Sequence, residues 1–161
     1  MSHTRPEAAR PTSASLALGG LLLAAASGCE RPACDESIRA QVLDERVLLE
    51  LGDETVEAEL ADDQTKVERG WMHRRCNREG ILLVPPQRGP LPIWGCGLVS
   101  PVDLHFIRDG QVRHVVRGLE PCGSLCSLCP LEGEDLEVDG VLETPVDALT
   151  AEVGTDVRGW P

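Results

Sequence analysis

In several runs beyond residue 40, apolar side chains return every second position. Val56, Ala58 and Leu60 alternate with Glu57 and Glu59, the pattern of a strand that buries one face and wets the other. With residues 47–51 (VLLEL) and the turn residues Gly52, Asp53 and Glu54 ahead of it, this run predicts a hairpin. Asp62 or Asp63 can cap a short helix ending near Arg69 and Gly70, with Val67 and Trp71 four apart on one face. Residues 81–84 (ILLV) read as a short buried strand stopped by Pro85 and Pro86, and 93–97 (IWGCG) as a strand interrupted by glycine. The clearest hairpin joins 102–107 (VDLHFI) to 111–116 (QVRHVV) through Arg108, Asp109 and Gly110, because Asp-Gly suits a turn that needs positive φ. Val112, His114 and Val116 are expected on one face of its second strand. Residues 121–134 read as a cysteine-rich acidic loop, 141–143 as a strand, 146–152 as a short helix opened by Pro145, and 155–158 as a last strand. The sum is one mostly β domain with two short helices.

The N-terminal pattern differs. Residues 16–29 read LALGGLLLAAASGC, an apolar run behind the basic Arg5 and Arg10, closing in small residues and Cys29. The run falls short of the roughly 20 apolar residues that span a bilayer but has the parts of an export signal. It resembles a bacterial lipoprotein signal. That resemblance implies cleavage before Cys29, lipid attachment to its sulfur, and a chain held on a membrane of the cell envelope, periplasmic or outer. The organisation expected is a signal peptide over 1–28, a tether over 29–40 and a β-rich domain over 41–161.

Charge narrows the partners. The net charge is −12, and loss of Arg5, Glu7 and Arg10 with the signal leaves the remainder more acidic still. Such a surface repels phosphate backbones, so no nucleic acid partner is expected. A membrane contact through the lipid is, and a protein or small-molecule ligand stays undefined. With three Trp, one Phe and no Tyr, the core must rest on Val, Leu and Ile.

Seven cysteines are many for this length. With Cys29 lipidated, six remain: Cys34, Cys76, Cys96, Cys122, Cys126 and Cys129. An even set in an exported chain points to disulfides. The pairings expected are Cys76–Cys96 and one bridge within 122–129, either Cys126–Cys129 or Cys122–Cys129, with Cys34 taking the remaining loop cysteine. Other chemistries compete for the same sulfurs. The spacing Cys122-x3-Cys126-x2-Cys129 is that of an iron–sulfur motif, but the chain is too small for the barrel such enzymes use. A zinc site completed by His73, His105, His114 or Cys96 would need reduced thiolates. Thiol exchange at the C-x-x-C of Cys126 and Cys129 would want a helix N-terminus, whereas an acidic stretch follows. Asp103, His105 and His114 share the second hairpin, yet no serine stands in a nucleophile-elbow context. Neither a catalytic residue, a metal site nor a cofactor is expected, and a binding or structural role is favoured over an enzymatic one. The alternative is a thiol-redox or metal-handling envelope protein using Cys122, Cys126 and Cys129.

The order of the motifs resembles the domain-of-unknown-function 192 family. Arg69-Gly70-Trp71-Met72-His73-Arg74 is similar to its R-G-L-M-x-R, residues 79–85 (EGILLVP) to E-G-M-L-F-x-[FP], Ile93-Trp94-Gly95 to F-W-M, residues 101–107 (PVDLHFI) to P-L-D-I-x-F-I, Pro121-Cys122 to P-C, and Val141-Leu142-Glu143 to V-L-E. Cys96, Gly97 and Leu98 replace a polar K-N-T run. The resemblance implies a mainly β (α+β) fold, a compact sandwich or half-barrel with one or two short helices, and supplies no reaction. Arg69, Trp94 and Asp103 are the candidate pocket residues, with Arg69 expected to pair with Asp103.

Overall fold

A computed structural model describes residues 36–76, 79–123 and 125–161. The signal, Cys29 and Cys34 lie outside the described residues. The strands are β1 (Arg46–Leu51), β2 (Glu54–Ala61), β3 (Gly80–Leu83), β4 (Gly89–Pro90), β5 (Val102–Arg108), β6 (Gln111–Leu119), β7 (Glu137–Val138), β8 (Gly140–Pro145) and β9 (Val157–Arg158). A helix, α1 (Gln64–Arg69), follows β2, and a 3₁₀ turn covers Cys126–Leu128.

Seven strands form one sheet in the order β6-β5-β8-β3-β2-β1-β9, antiparallel except for the β2–β3 pair, while β4 and β7 pair separately. The sheet curls into a half-barrel. Its two edges meet at one end, where Val112 N–H donates to the Thr155 carbonyl and Val157 N–H to the Gly110 carbonyl. The concave face is filled by Leu49, Leu51, Val56, Ala58, Leu82, Ile107, Val112 and Leu142. The convex face is buried as well, because α1, Trp71, Ile93 and the Leu136–Val138 segment lie over Ala61, Ile81, Leu83, Leu104, Phe106 and Val141. Two buried faces explain the unbroken apolar run of β3.

The first hairpin and the helix form as the sequence predicts. Asp63 is the N-cap, accepting the Lys66 N–H at 2.9 Å, and the Gln41 amide donates to the Lys66 and Gly70 carbonyls at the other end. The Asp109-Gly110 turn has φ of 50° and 67°, the left-handed pair that joins twisted strands.

Three expectations fail for local reasons. Residues 93–97 are not a strand, because Ile93 bridges Glu132 while Cys96 bridges Cys122, so the run divides between two partners. Residues 146–152 are not a helix. Seven residues nucleate poorly, and the Leu149 and Ala151 carbonyls turn instead to the Arg117 guanidinium. His114 does not share a face with Val112. The β5–β6 register pairs Phe106 with His114 but Ile107 with Val112, so a bulge at Arg113 sends Val112 to the concave face and His114 to the convex one.

Candidate functional site

The cysteines are occupied as disulfides. Cys96 pairs with Cys126 and Cys122 with Cys129, at Cα separations of 5.2 and 5.9 Å. Cys76 is also disulfide-bonded, so the expected Cys76–Cys96 bridge is replaced. All three loop sulfurs are taken, so none is left over for the expected bridge to Cys34, which lies outside the described residues. Cys96 turns to the loop because Gly95 accepts the Cys122 N–H and holds the two segments side by side. The C-x-x-C of Cys126 and Cys129 is not a bonded pair, each sulfur going to a different partner. Four paired sulfurs leave no trio of thiolates for a cluster, zinc or exchange at 122–129, and point to an oxidising, non-cytoplasmic compartment.

Asp103 and His105 share the concave face, and His114 lies across the sheet from them. Asp103 is fully buried and holds backbone. It accepts from the Gly118 N–H at 2.7 Å, the Asp147 N–H at 3.1 Å and the Arg117 guanidinium at 3.0 Å. Arg117, not Arg69, is therefore its ion-pair partner. Burial and the adjacent Arg117 lower the pKa of His105, which leaves it a neutral packed imidazole. Asp103→Asn is expected to cost about 2 kcal/mol, because an amide nitrogen cannot accept from these donors. Urea unfolding reads the loss, and an unchanged midpoint would contradict it.

Arg69 and Trp94 do come together, on the convex side. They line a cavity of about 410 Å³ bounded by Val67, Trp71, Met72, Leu83, Pro85, Pro86, Leu91, Ile93 and Leu98, with Glu143 in its wall. Each element contributes for a local reason. α1 supplies Val67 from its buried face. Gly70 lets the chain turn beside the acid, since a Cβ there would stand 2.8 Å from a Glu143 carboxylate oxygen. Leu83 and Pro85 end β3, and Leu98 follows the stapled Cys96. Four of the motifs quoted above, R-G-W-M-H-R, E-G-I-L-L-V-P, I-W-G and V-L-E, meet at this cavity.

The acid was not among the expected site residues. Glu59, Ile81, Glu143 and Leu104 stand in register across β2, β3, β8 and β5, so both carboxyls point to the convex side. Alternation reads Glu59 as solvent-facing, but the layer over this face buries it to 3% exposure, as it does Glu143. Arg74, 2% exposed, forms an ion pair with Glu59 at 2.6 Å and donates to the Gln41 carbonyl at 3.1 Å. Glu143 accepts the Trp71 N–H, while its Oε2 has no hydrogen-bond partner among the described residues. Burial pushes its carboxyl up to about 7, against the opposing pull of the Trp71 N–H and of Arg74.

The pH consequence follows. The folded protein holds a proton that the unfolded chain releases near 4.5. Stability from this group is full below that value and is lost as pH rises through 7. The loss amounts to about 3 kcal/mol. Glu143→Gln is expected to flatten this slope between pH 4.5 and 8, measured as unfolding free energy at a series of pH values. An unaltered slope would contradict the assignment.

The family model DUF192, described as "Uncharacterized ACR", matches residues 47–158. Two solved structures are similar in fold. One, from Sinorhizobium meliloti 1021, is described as a "putative transcription regulator". It is 24% identical with a TM-score of 0.63, over 74% of this chain and 97% of the other. The second is a protein of unknown function from Novosphingobium aromaticivorans DSM 12444, 19% identical with a TM-score of 0.62, over 80% and 94%. No curated protein matches the chain.

Proposed function

The chain belongs to the DUF192 family, and from that premise we propose that it is an exported, lipid-anchored module that binds a small molecule in the cavity beside Glu143. One observation carries the reading. An apolar cavity of about 410 Å³, within the 300–1,000 Å³ range typical of ligand sites, holds one buried carboxyl with an unused oxygen. A structural core would fill such a space, because an empty apolar void forfeits contact energy around its lining. The cavity also has an opening, with Trp94 exposed at 37% and Arg69 exposed and unpaired among the described residues.

The stapled loop supports a binding role. The Cys96–Cys126 bridge ties the Trp94–Leu98 wall to the 122–129 loop, so the wall is held before a ligand arrives, and a preformed wall lowers the ordering cost of binding. Export is supported by the disulfides and by the segment ending at Cys29. Cys29 takes the lipid in this reading, and the domain stays at the membrane that holds it.

Two measurements test the two halves. The neutral probe N-phenyl-1-naphthylamine should show saturable one-site fluorescence enhancement that is lost in Leu98→Trp, a change that fills the cavity. Enhancement without saturation, or equal enhancement in the variant, would remove the binding reading. Mass spectrometry of protein from its native host should find a lipidated N-terminal Cys29. An intact Met1 with unmodified Cys29 would remove the anchor.

A further inference from the structure

We infer that the cavity recognises a primary ammonium group carried on an apolar body, with Glu143 Oε2 as the acceptor. The inference rests on the binding reading above and specifies its ligand.

Charge balance on the convex face carries it. Two carboxyls, Glu59 and Glu143, are buried there, and among the described residues Arg74 is the one buried guanidinium. Arg74 is committed, since its Nη2 serves both Glu59 at 2.6 Å and the Gln41 carbonyl. Arg46 adds a distant contact to Glu59 at 4.0 Å and none to Glu143. From α1, Glu68 and Arg69 face the cavity with opposite signs, beside the neutral Gln64. Asp103 and Arg117 lie on the other side of the sheet and pair with each other, with His105 beside them. Among the described residues, Glu143 is therefore without an ion-pair partner in an apolar wall. It must carry a proton when the cavity is empty or meet a cation when the cavity is filled.

Three ligand classes can be ranked on that basis. An anionic head would face an uncompensated acid within a chain of net charge −12, and is repelled. A hydroxyl can bond to Oε2 but leaves the charge unbalanced. An ammonium supplies both the N–H donor and the missing positive charge, and charge-assisted bonds are the stronger ones. The indoles of Trp71 and Trp94 line the same space, where they can cover an alkyl chain and attract a cation to their π faces.

Binding has a proton signature. At pH 6 the free Glu143 is largely protonated, given a carboxyl raised to about 7. An arriving ammonium, itself protonated up to about pH 10, favours the carboxylate, so the carboxyl proton leaves to solvent. Binding should release close to one proton at pH 6 and almost none at pH 8.5, and affinity should rise across that interval and level off.

The test compares hexylamine, 1-hexanol and hexanoate on the full disulfide-bonded domain. Tryptophan fluorescence follows binding, and calorimetry in two buffers of different ionisation heat counts protons. Hexylamine should bind about ten- to a hundredfold tighter than hexanol at pH 8, with hexanoate weakest, and Glu143→Gln should bring the amine-to-alcohol ratio toward one. Hexylamine no tighter than hexanol, with no proton released by the wild-type protein, would overturn the inference while binding of hexanol or the naphthylamine probe kept the cavity reading. No binding by any of the four compounds would overturn both. The proton count on the unmodified protein stands even if the variant folds poorly.

Discussion

Arg74→Met is expected to cost about 3–5 kcal/mol of folding stability, the penalty for breaking a buried ion pair by removing its cation. Glu59, 3% exposed, would lose its 2.6 Å ion pair, and the Gln41 carbonyl would lose its donor. The loss belongs to the cost of keeping the acid buried more than to the pair itself. The double change Arg74→Met with Glu59→Leu should therefore recover much of it, since an apolar pair of similar volume avoids both desolvation penalties. Equilibrium urea unfolding of the two single variants and the double variant gives the cycle. A double variant as unstable as the sum of the singles would contradict the coupling. Arg74→Met should also raise Glu143 further, because Arg74 is one of the influences that favour its carboxylate.

Replacing Cys96 and Cys126 together by serine is expected to cost about 3–4 kcal/mol, the loop-closure value for a bridge that spans 30 residues. The Cys122–Cys129 bridge spans 7 residues, and its removal should cost less, about 2 kcal/mol on the same account. The larger change also reaches the cavity. Cys96 is two residues beyond Trp94 and two before Leu98, and its strand contact to the loop is the single bridge to Cys122. Probe affinity should fall with the first pair of substitutions and hold with the second. Thermal unfolding under non-reducing conditions, beside the probe titration, measures both effects. Equal costs for the two bridges would contradict the loop-length account.

Local signals carried most of the fold. The Asp109-Gly110 turn, the alternation of Val56 and Ala58, and the Asp63 cap each act over a few residues, so the hairpins and α1 were legible. What stayed hidden depends on contacts far apart in the chain. The bulge at Arg113 reverses the face of His114 without any breaking residue at the spot. Residues 93–97 look like a strand, but their partners Glu132 and Cys122 lie in the loop beyond β6. Glu59 reads as solvent-facing because alternation reports which residues share a side and not whether a second layer covers it. Of the expected pocket, Arg69 and Trp94 were legible through the motifs around them. Asp103 carried an equally strong motif, yet it holds the Gly118 bulge and the 145–152 turn in place. The signal that could have exposed the acid was the V-L-E motif itself, where a carboxylate closes an otherwise apolar strand.

Glu143 is a buried carboxyl with no ion-pair partner among the described residues, beside an open apolar cavity. Its side-chain carboxyl carbon can be followed by ¹³C NMR across pH 4–9, assigned by loss of the resonance in Glu143→Gln. The account predicts a midpoint near 7 that drops on saturation with hexylamine. A midpoint in the ordinary carboxylate range, near 4.5, unmoved by the amine, would contradict it.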